Sequence, residues 1–362
     1  MKKDFREMNN EFVVIRPVCE DDLNIICEFG DQVGVGLSSL VNNVSVMSYK
    51  IEKSFLSFNG EKNCESRHFF FVMDYYEDEG SMPKVIGTCA IDAPQGKTAP
   101  LYNYKVVTVT QLCEKLNKYK QHKVLELVSD YQNTSQLSSL FLQESFRRYK
   151  KGELLSRSRL LFMSEFPDFF SDIVFSQIRG FLDDKGDSLF WDSLGRYFFD
   201  MDFKEADFFR TEEGEQFISD LMPIYPVYME LLSQDCQKNI GTPHVDARAA
   251  LRLLEKEGFK NRGYVDIFDG GPIVEAYRKE IKTITESIGA KVHEVRKNKN
   301  NTSVNYNLNN KIIANTRLDF RATLGQVEFV EPGIVCVDER VAKALNVSVG
   351  DNIRFCDLHK NQ

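Results

Sequence analysis

SSLFLQESFRRYKKGELLSRSRLLFMSEF, Ser138 to Phe166, joins three structural signals in one run. Ser139 to Leu142 is a short apolar run of strand length, and Arg147 to Lys151 places four cations in five residues. From Gly152 onward apolar residues recur at helical spacing as Leu154, Leu155, Leu160, Leu161 and Phe162. The order is therefore strand, basic turn, helix start. The first amides of a helix have no intrahelical partners and the helix dipole adds partial positive charge there, so such a turn can cradle a phosphate or pyrophosphate. A merely basic helix start is the plain alternative.

Outward from this segment, the chain of 362 residues is long for one compact domain, and one large domain with a smaller one attached is expected. The net charge is −8 and the cations cluster locally, which argues against a general nucleic-acid surface. No apolar run approaches the roughly 20 residues of a membrane helix, and MKKDFREMNNEF lacks the apolar centre of a secretion signal. The expectation is a cytoplasmic protein without nucleic-acid or membrane partners. The eight cysteines, Cys19, Cys27, Cys64, Cys89, Cys113, Cys236, Cys336 and Cys356, form no CxxC pair, so they read as buried thiols, and no metal or bound cofactor is expected. The 28 phenylalanines point to a large core.

Phe12 to Ile15 reads as a strand, followed by a helix from about Asp21 to Phe29. Phe69 to Met73 and Val85 to Ile91 are two more strands, joined through DYYEDEGSMPK as an antiparallel hairpin. Ala247 to Glu257 is amphipathic at helical period, stops at Gly258, and leads to a strand at Tyr264 to Phe268. The stretch from about Arg296 to Asn310 is polar and Asn-rich, which suits a linker or exposed loop, and Lys311 to Leu358 alternates short apolar runs with turns, as a small β-rich unit does. There is no internal repeat at a 20 to 50 residue period.

The β, α, β, β order with its IRP start, the FFFVMD and VIGTCAI strands, and the ARAALRLLEKEGF helix and turn resemble acyl-CoA N-acyltransferases of the GNAT type. Their pyrophosphate signature has the form (Q/R)xxGx(G/A), and Arg147, Lys150 and Gly152 fall on its three positions, with lysine in place of the first glycine. The implied fold is α/β (α+β): a mixed, mostly antiparallel sheet flanked by helices, over 1–295 with insertions, then a linker at 296–310 and a small β-rich domain at 311–362. Within that superfamily the chain resembles the arginine N-succinyltransferase family over residues 12 to 358. The match is carried by GVGLSSL (Gly34 to Leu40), YNYKV (Tyr102 to Val106), LLSRSRLLFM (Leu154 to Met163), FWDSLGRYFFDMDFKEADFF (Phe190 to Phe209), LMPIYPVY (Leu221 to Tyr228), IGTPH (Ile240 to His244), and LEKEGF with YVDIFDGGP (Leu254 to Pro272).

The resemblance implies transfer of succinyl from succinyl-CoA, as co-substrate, to the α-amino group of arginine. It also implies His244 of IGTPH as proton donor and Leu140, on the strand before the cradle, as a residue whose backbone binds succinyl-CoA. A group titrating near neutrality suits protonation of the leaving CoA thiolate. Many GNAT enzymes use a tyrosine of the last helix for that step, and here the position is Leu254. Ser38 and Ser39 could line the substrate pocket or form a plain turn. Arg179 could clamp the succinyl carboxylate bidentately or make a structural salt bridge. Asp266 and Asp269, before Gly270 and Gly271, could meet the acceptor guanidinium, with a turn and cap role as the alternative for Asp269.

The chain departs from the family pattern at Gln136 and Gln177, where glutamate is usual, and at Lys105, where arginine is usual. Two neutral amides in place of carboxylates raise a second candidate, with the same fold and acyl donor but ornithine or another amine as acceptor. A third is a catalytically weak partner subunit of a paralogue. Whether the chain forms a homo- or hetero-oligomer is open.

Overall fold

The computed structural model describes residues 11–34, 39–60, 66–95, 100–213, 221–297 and 310–359. Its strands are β1 (Phe12–Pro17), β2 (Arg67–Tyr76), β3 (Lys84–Ala93), β4 (Asn103–Cys113), β5 (Lys118–Val128), β6 (Ser135–Leu142), β7 (Ile173–Gln177) and β8 (Val227–Tyr228). They continue with β9 (Lys260–Val265), β10 (Pro272–Tyr277), β11 (Ile288–Arg296), β12 (Lys311–Asn315), β13 (Ala322–Gly325), β14 (Val327–Glu331), β15 (Ile334–Asp338) and β16 (Asn352–Asp357). All lie in one sheet, ordered β14, β15, β11, β16, β12, β13, β1, β2, β3, β6, β7, β10, β9, β4, β5, β8. Pairing is antiparallel except between β6 and β7 and between β11 and β15.

Strand β2 shows why this sheet is covered on both faces. Successive side chains of a strand point to opposite sides. Phe69, Phe71 and Met73 enter the core built around helix α3 (Lys151–Glu165), whereas Phe70 and Val72 enter the core under α1 (Leu23–Val33) and α2 (Val44–Phe58). A run that is apolar at every position is the pattern for a strand buried on both sides. A third core gathers Phe190, Trp191, Phe199 and Phe203, the last on α4 (Phe203–Glu213), against β4 and β9, with Trp191 stacked on Phe268 at 5.2 Å between centroids.

Helix α3 is buried almost all round, charged residues included. Burying charge demands partners. Arg157 pairs with Glu153 and with Glu257, each at 2.8 Å, and Lys151 pairs with Glu11 at 3.3 Å.

The C-terminal strands extend the same sheet. β13 meets β1 through Ala322 opposite Ile15, and β11, which precedes the Asn-rich stretch, pairs with β15 and β16 beyond it. Residues 298–309 of that stretch lie outside the described residues.

Three expectations are corrected. The first helix starts at Leu23 rather than Asp21 and runs to Val33, because Glu20–Asp22 forms a 3-10 turn in which the Asp22 carboxylate accepts from the Cys19 amide and pairs with Arg16. The strand expected at Tyr264 to Phe268 is β9, ending at Val265, because the Asp266 carboxylate accepts from the Phe268 and Asp269 amides and turns the chain. Cys19 and Cys113 are exposed, whereas Cys27, Cys89, Cys236, Cys336 and Cys356 are buried, and Cys64 lies outside the described residues.

Candidate active site

Parallel strands β6 and β7 pair only at Ser135 with Val174 and Gln136 with Phe175. Beyond that point a cavity of about 710 Å³ is lined by β6 from Gln136 to Leu142, by Ser176 and Gln177 of β7, and by Ile178 and Arg179 just after it. On its other side β6 is kinked. Ala90 of β3 faces Ser138 and Thr88 faces Phe141, so Ser139 and Leu140 together oppose Cys89, which is a β-bulge. Ser139 takes a left-handed backbone, φ 52°, held by the Thr88 hydroxyl donating to its carbonyl at 2.8 Å and by its amide donating to Ser39 Oγ at 3.2 Å. The bulge turns the Leu140 segment toward the cavity, which it lines.

The N-terminus of α3 borders the same cavity, with Arg147, Lys150 and Gly152 in its wall. Lys150 has φ 62°, the left-handed backbone for which glycine is the default residue. The fold thus keeps the shape a glycine would give and puts a cation on it. Lys150 Nζ contacts Glu153 at 3.1 Å and the His359 carbonyl at 3.1 Å, and Arg147 Nε donates to the Leu142 carbonyl at 2.9 Å. Gly152 has room for a methyl group, the nearest atom being Leu142 Cδ2 at 3.9 Å.

His244 stands next to Arg179. Its amide donates to the Arg179 carbonyl at 2.8 Å, and Pro243 bridges to Gly180. His244 Nδ1 accepts from the Asp246 amide at 3.3 Å just before helix α5 (Arg248–Glu257). An amide can only donate, so the neutral ring carries its proton on Nε2. Burial lowers the His244 pKa from the ordinary histidine value, and the Arg179 charge lowers it further. Arg179 Nε is buried with no hydrogen-bond partner among the described residues, and its Nη1 donates to the Val33 carbonyl at 3.3 Å. Gly180 packs so closely that Asp269 Oδ2 accepts from its amide at 2.6 Å, while Asp269 Oδ1 accepts from Gly271 at 2.8 Å. Both Asp269 oxygens are thus used by backbone. Burial, and Asp266 next, push its carboxyl up to about 7.

Gln136 and Gln177 both line the cavity and touch each other. Gln95 Nε2 donates to Gln136 Oε1, and Gln136 Nε2 donates to Gln177 Oε1, each at 2.9 Å. Gln177 Nε2 in turn faces Asp266 Oδ2 at 3.2 Å and Asn103 Oδ1 at 3.3 Å. Asp266 also lies 3.8 Å from Arg210 Nη2. Ser39 lines the cavity too, whereas Ser38 lies outside the described residues.

Residues 13–283 match the model of the arginine N-succinyltransferase beta subunit, and 309–356 match the model of its C-terminal domain. The chain belongs to the arginine N-succinyltransferase family. It is an acyl-CoA-dependent N-acyltransferase of that type. An arginine N-succinyltransferase from Escherichia coli is 35% identical over 347 residues, 96% of this chain and 98% of its own length. One from Shigella flexneri is 40% identical over 275 residues, 76% and 79% of the two chains. The structure of arginine/ornithine succinyltransferase subunit AI from Pseudomonas aeruginosa matches with a TM-score of 0.85 at 30% identity, covering 97% of this chain and 100% of that one.

Other cavity residues of this family member escaped the sequence: Lys50 of α2, Asp92 of β3, Gln95, Arg159 of α3 and Arg210 of α4. Asp92 stood in plain view, an acid at the end of the otherwise apolar VIGTCAI run, but only the register of β3 against β6 sets it beside the site. Among the described residues no helix is long and apolar enough to cross a membrane, and no group of His, Cys, Asp or Glu is arranged to hold a metal ion.

Proposed function

We propose that the protein transfers succinyl from succinyl-CoA to the α-amino group of an amino acid, with arginine as the favoured acceptor. The observation that carries this is the opening between β6 and β7, a single cavity that runs from the N-terminus of α3 to Arg179. The helix start with Arg147, Lys150 and Gly152 receives the pyrophosphate. The bulge at Leu140 offers backbone to the pantetheine and thioester, and Arg179, with its idle Nε, takes the succinyl carboxylate. Positions fixed in this way place the thioester carbon for direct attack. The neutral amine forms the new C–N bond, the C–S bond breaks, and the proton lost from nitrogen balances the one gained by sulfur. The His244 ring takes up the proton lost from nitrogen, and the imidazolium so formed delivers a proton from Nε2 to the thiolate, a role that fits its place beside Arg179.

One observation favours a different acceptor. The amides of Gln136 and Gln177 satisfy each other without a cation between them, so this wall does not demand a guanidinium. Ornithine or another amine is the corresponding acceptor. CoA release by the purified chain, measured with succinyl-CoA and a panel of amines, separates the two. No turnover with any amine would overturn both in favour of a partner subunit.

A further inference from the structure

Lys50 and Asp92 line the cavity and have no part in the chemistry above. Asp92 Oδ1 lies 2.6 Å from His68 Nδ1, and Asp92 Oδ2 accepts from the Ser138 hydroxyl at 2.6 Å. His68 is buried and its Nε2 has no partner among the described residues, so the proton that Asp92 accepts is the one on Nδ1. Burial pushes the Asp92 carboxyl up, but His68 and Ser138 outweigh it and hold the group at about 2. The side chain is 23% exposed and stays an anion facing the cavity. Lys50, which also lines the cavity, donates from Nζ to the Ser39 carbonyl at 2.8 Å. Among the described residues no lysine or arginine pairs with Asp92 and no carboxylate pairs with Lys50; burial lowers the Lys50 pKa, and the Asp92 charge acts against that.

Of the other cations lining the cavity, Arg159 donates to the Ser138 carbonyl at 3.3 Å, and Arg179 is assigned to the succinyl carboxylate in the transfer proposed above. Arg210 lies 3.8 Å from Asp266 and over the Phe268 ring, and Arg179 reaches the Val33 carbonyl. Both groups are also tied to the bulge. Asp92 holds Ser138, the residue before it, and the Ser39 that Lys50 contacts accepts from the Ser139 amide. A cation and an anion that line one cavity without forming an ion pair with each other are the charges complementary to the carboxylate and ammonium of one α-amino acid.

We propose that Lys50 and Asp92 form an α-amino-acid subsite, Lys50 taking the acceptor's α-carboxylate and Asp92 its α-ammonium. This rests on the N-acyl transfer proposed above and adds that the acceptor is recognised at its α-carbon, whatever its side chain. Diamines that lack the carboxylate are then poor ligands.

The test is calorimetric binding to the full chain with CoA present, using two pairs that differ only in the carboxylate: L-arginine against agmatine, and L-ornithine against putrescine. In the parent protein the amino acid of at least one pair binds roughly tenfold or more tighter than its decarboxylated partner, as loss of a charge-assisted contact implies. Lys50→Met erases that preference by weakening the amino acid about tenfold or more while leaving the amine within about threefold, Lys50→Arg retains most of it, and Asp92→Asn weakens both members of the pair. A preference that survives Lys50→Met, or a parent that binds both members equally, overturns the subsite while leaving the transfer chemistry standing. Binding of none of the four overturns the subsite, and absence of CoA release with any amine overturns the transfer chemistry separately. A variant with a lowered melting temperature is still read through the ratio within each pair, which the folded fraction does not change.

Discussion

Gln136 donates from Nε2 to Gln177 Oε1 at 2.9 Å, and the direction of that bond is set from outside the pair. Asp266 is a carboxylate that only accepts, so Gln177 must turn its Nε2 toward it, leaving Oε1 for Gln136. Gln136 then presents its own Oε1 to Gln95. Three amides from three parts of the chain thus form one polarised row that ends on the acid of the β9 to β10 turn.

Converting two of these amides to acids brings two new carboxylates beside Asp266. We predict that Gln136→Glu combined with Gln177→Glu lowers the melting temperature without ligand, because the row loses its donors and gains repulsion. The same variant should improve kcat/KM for arginine by about tenfold, from ~1 kcal/mol or more per charge-assisted bond gained, and saturating arginine should restore much of the lost stability. A destabilised protein with no kinetic gain and no rescue by arginine would sink the idea that this row faces the acceptor.

The proton-donor role proposed for His244 can be separated from its structural one. Its Nδ1 caps the turn before α5, and asparagine is also a good cap. We predict that His244→Asn keeps the melting temperature and the affinity for CoA but lowers kcat by roughly 10² to 10⁴, the usual share of one general acid or base. Proton NMR titration of the histidine rings adds an independent check. Burial first and Arg179 second disfavour the imidazolium, so His244 titrates below 6.5, and Arg179→Gln removes one of these causes and should move the midpoint upward. The sign for stability follows: as pH falls from 6.5 through the depressed value, the unfolded chain binds more protons and the fold loses stability. A midpoint that ignores Arg179→Gln would contradict the assigned contact.

Much of the scaffold was legible because its signals are local. The all-apolar FFFVM run announced a strand, and Gly258 with its left-handed backbone ended α5 where the helical period stopped. The start of α3 showed itself as four cations before a helical period. What could not be read locally were the contacts made by register and crossover. Asp92 reaches the site only because β3 lies against β6, and Lys50 only because α2 packs across that sheet. The turn at Asp266 defeated the strand pattern because a carboxylate that captures backbone amides acts through geometry, not through hydropathy.

Lys150 separates backbone shape from charge. At φ 62° alanine carries the left-handed strain and glycine does not, so Lys150→Gly should be more stable than Lys150→Ala by roughly 1 kcal/mol in chemical denaturation. Both variants lose the same cation, so both should raise KM for succinyl-CoA with little change in kcat, as expected for removal of uniform binding. Equal stability of the two variants would show that the turn relaxes out of the left-handed region, and a fall in kcat at saturating succinyl-CoA would place Lys150 in the chemistry instead of the cradle.

Two glycines of the site should answer oppositely to the same methyl group. At Gly152, in the first turn of α3, a Cβ meets nothing closer than 3.9 Å, and alanine is the better helix former by up to about 1 kcal/mol. We predict that Gly152→Ala keeps or slightly raises the melting temperature and leaves kcat unchanged. At Gly180 a Cβ would sit 2.5 Å from the Asp269 carbonyl oxygen and 2.7 Å from the Gly271 nitrogen. Backbone atoms cannot swing away as a side-chain end can, so the turn itself must shift, at a cost of about 1–3 kcal/mol or more. That shift drags Arg179, which precedes Gly180, and His244, which hydrogen-bonds to Arg179. Gly180→Ala should therefore lower the melting temperature and cut kcat more than it raises KM for succinyl-CoA, whose phosphates are proposed to bind at the start of α3. Retention of parent stability and parent kcat in Gly180→Ala would break the link between this packed turn and the proton donor.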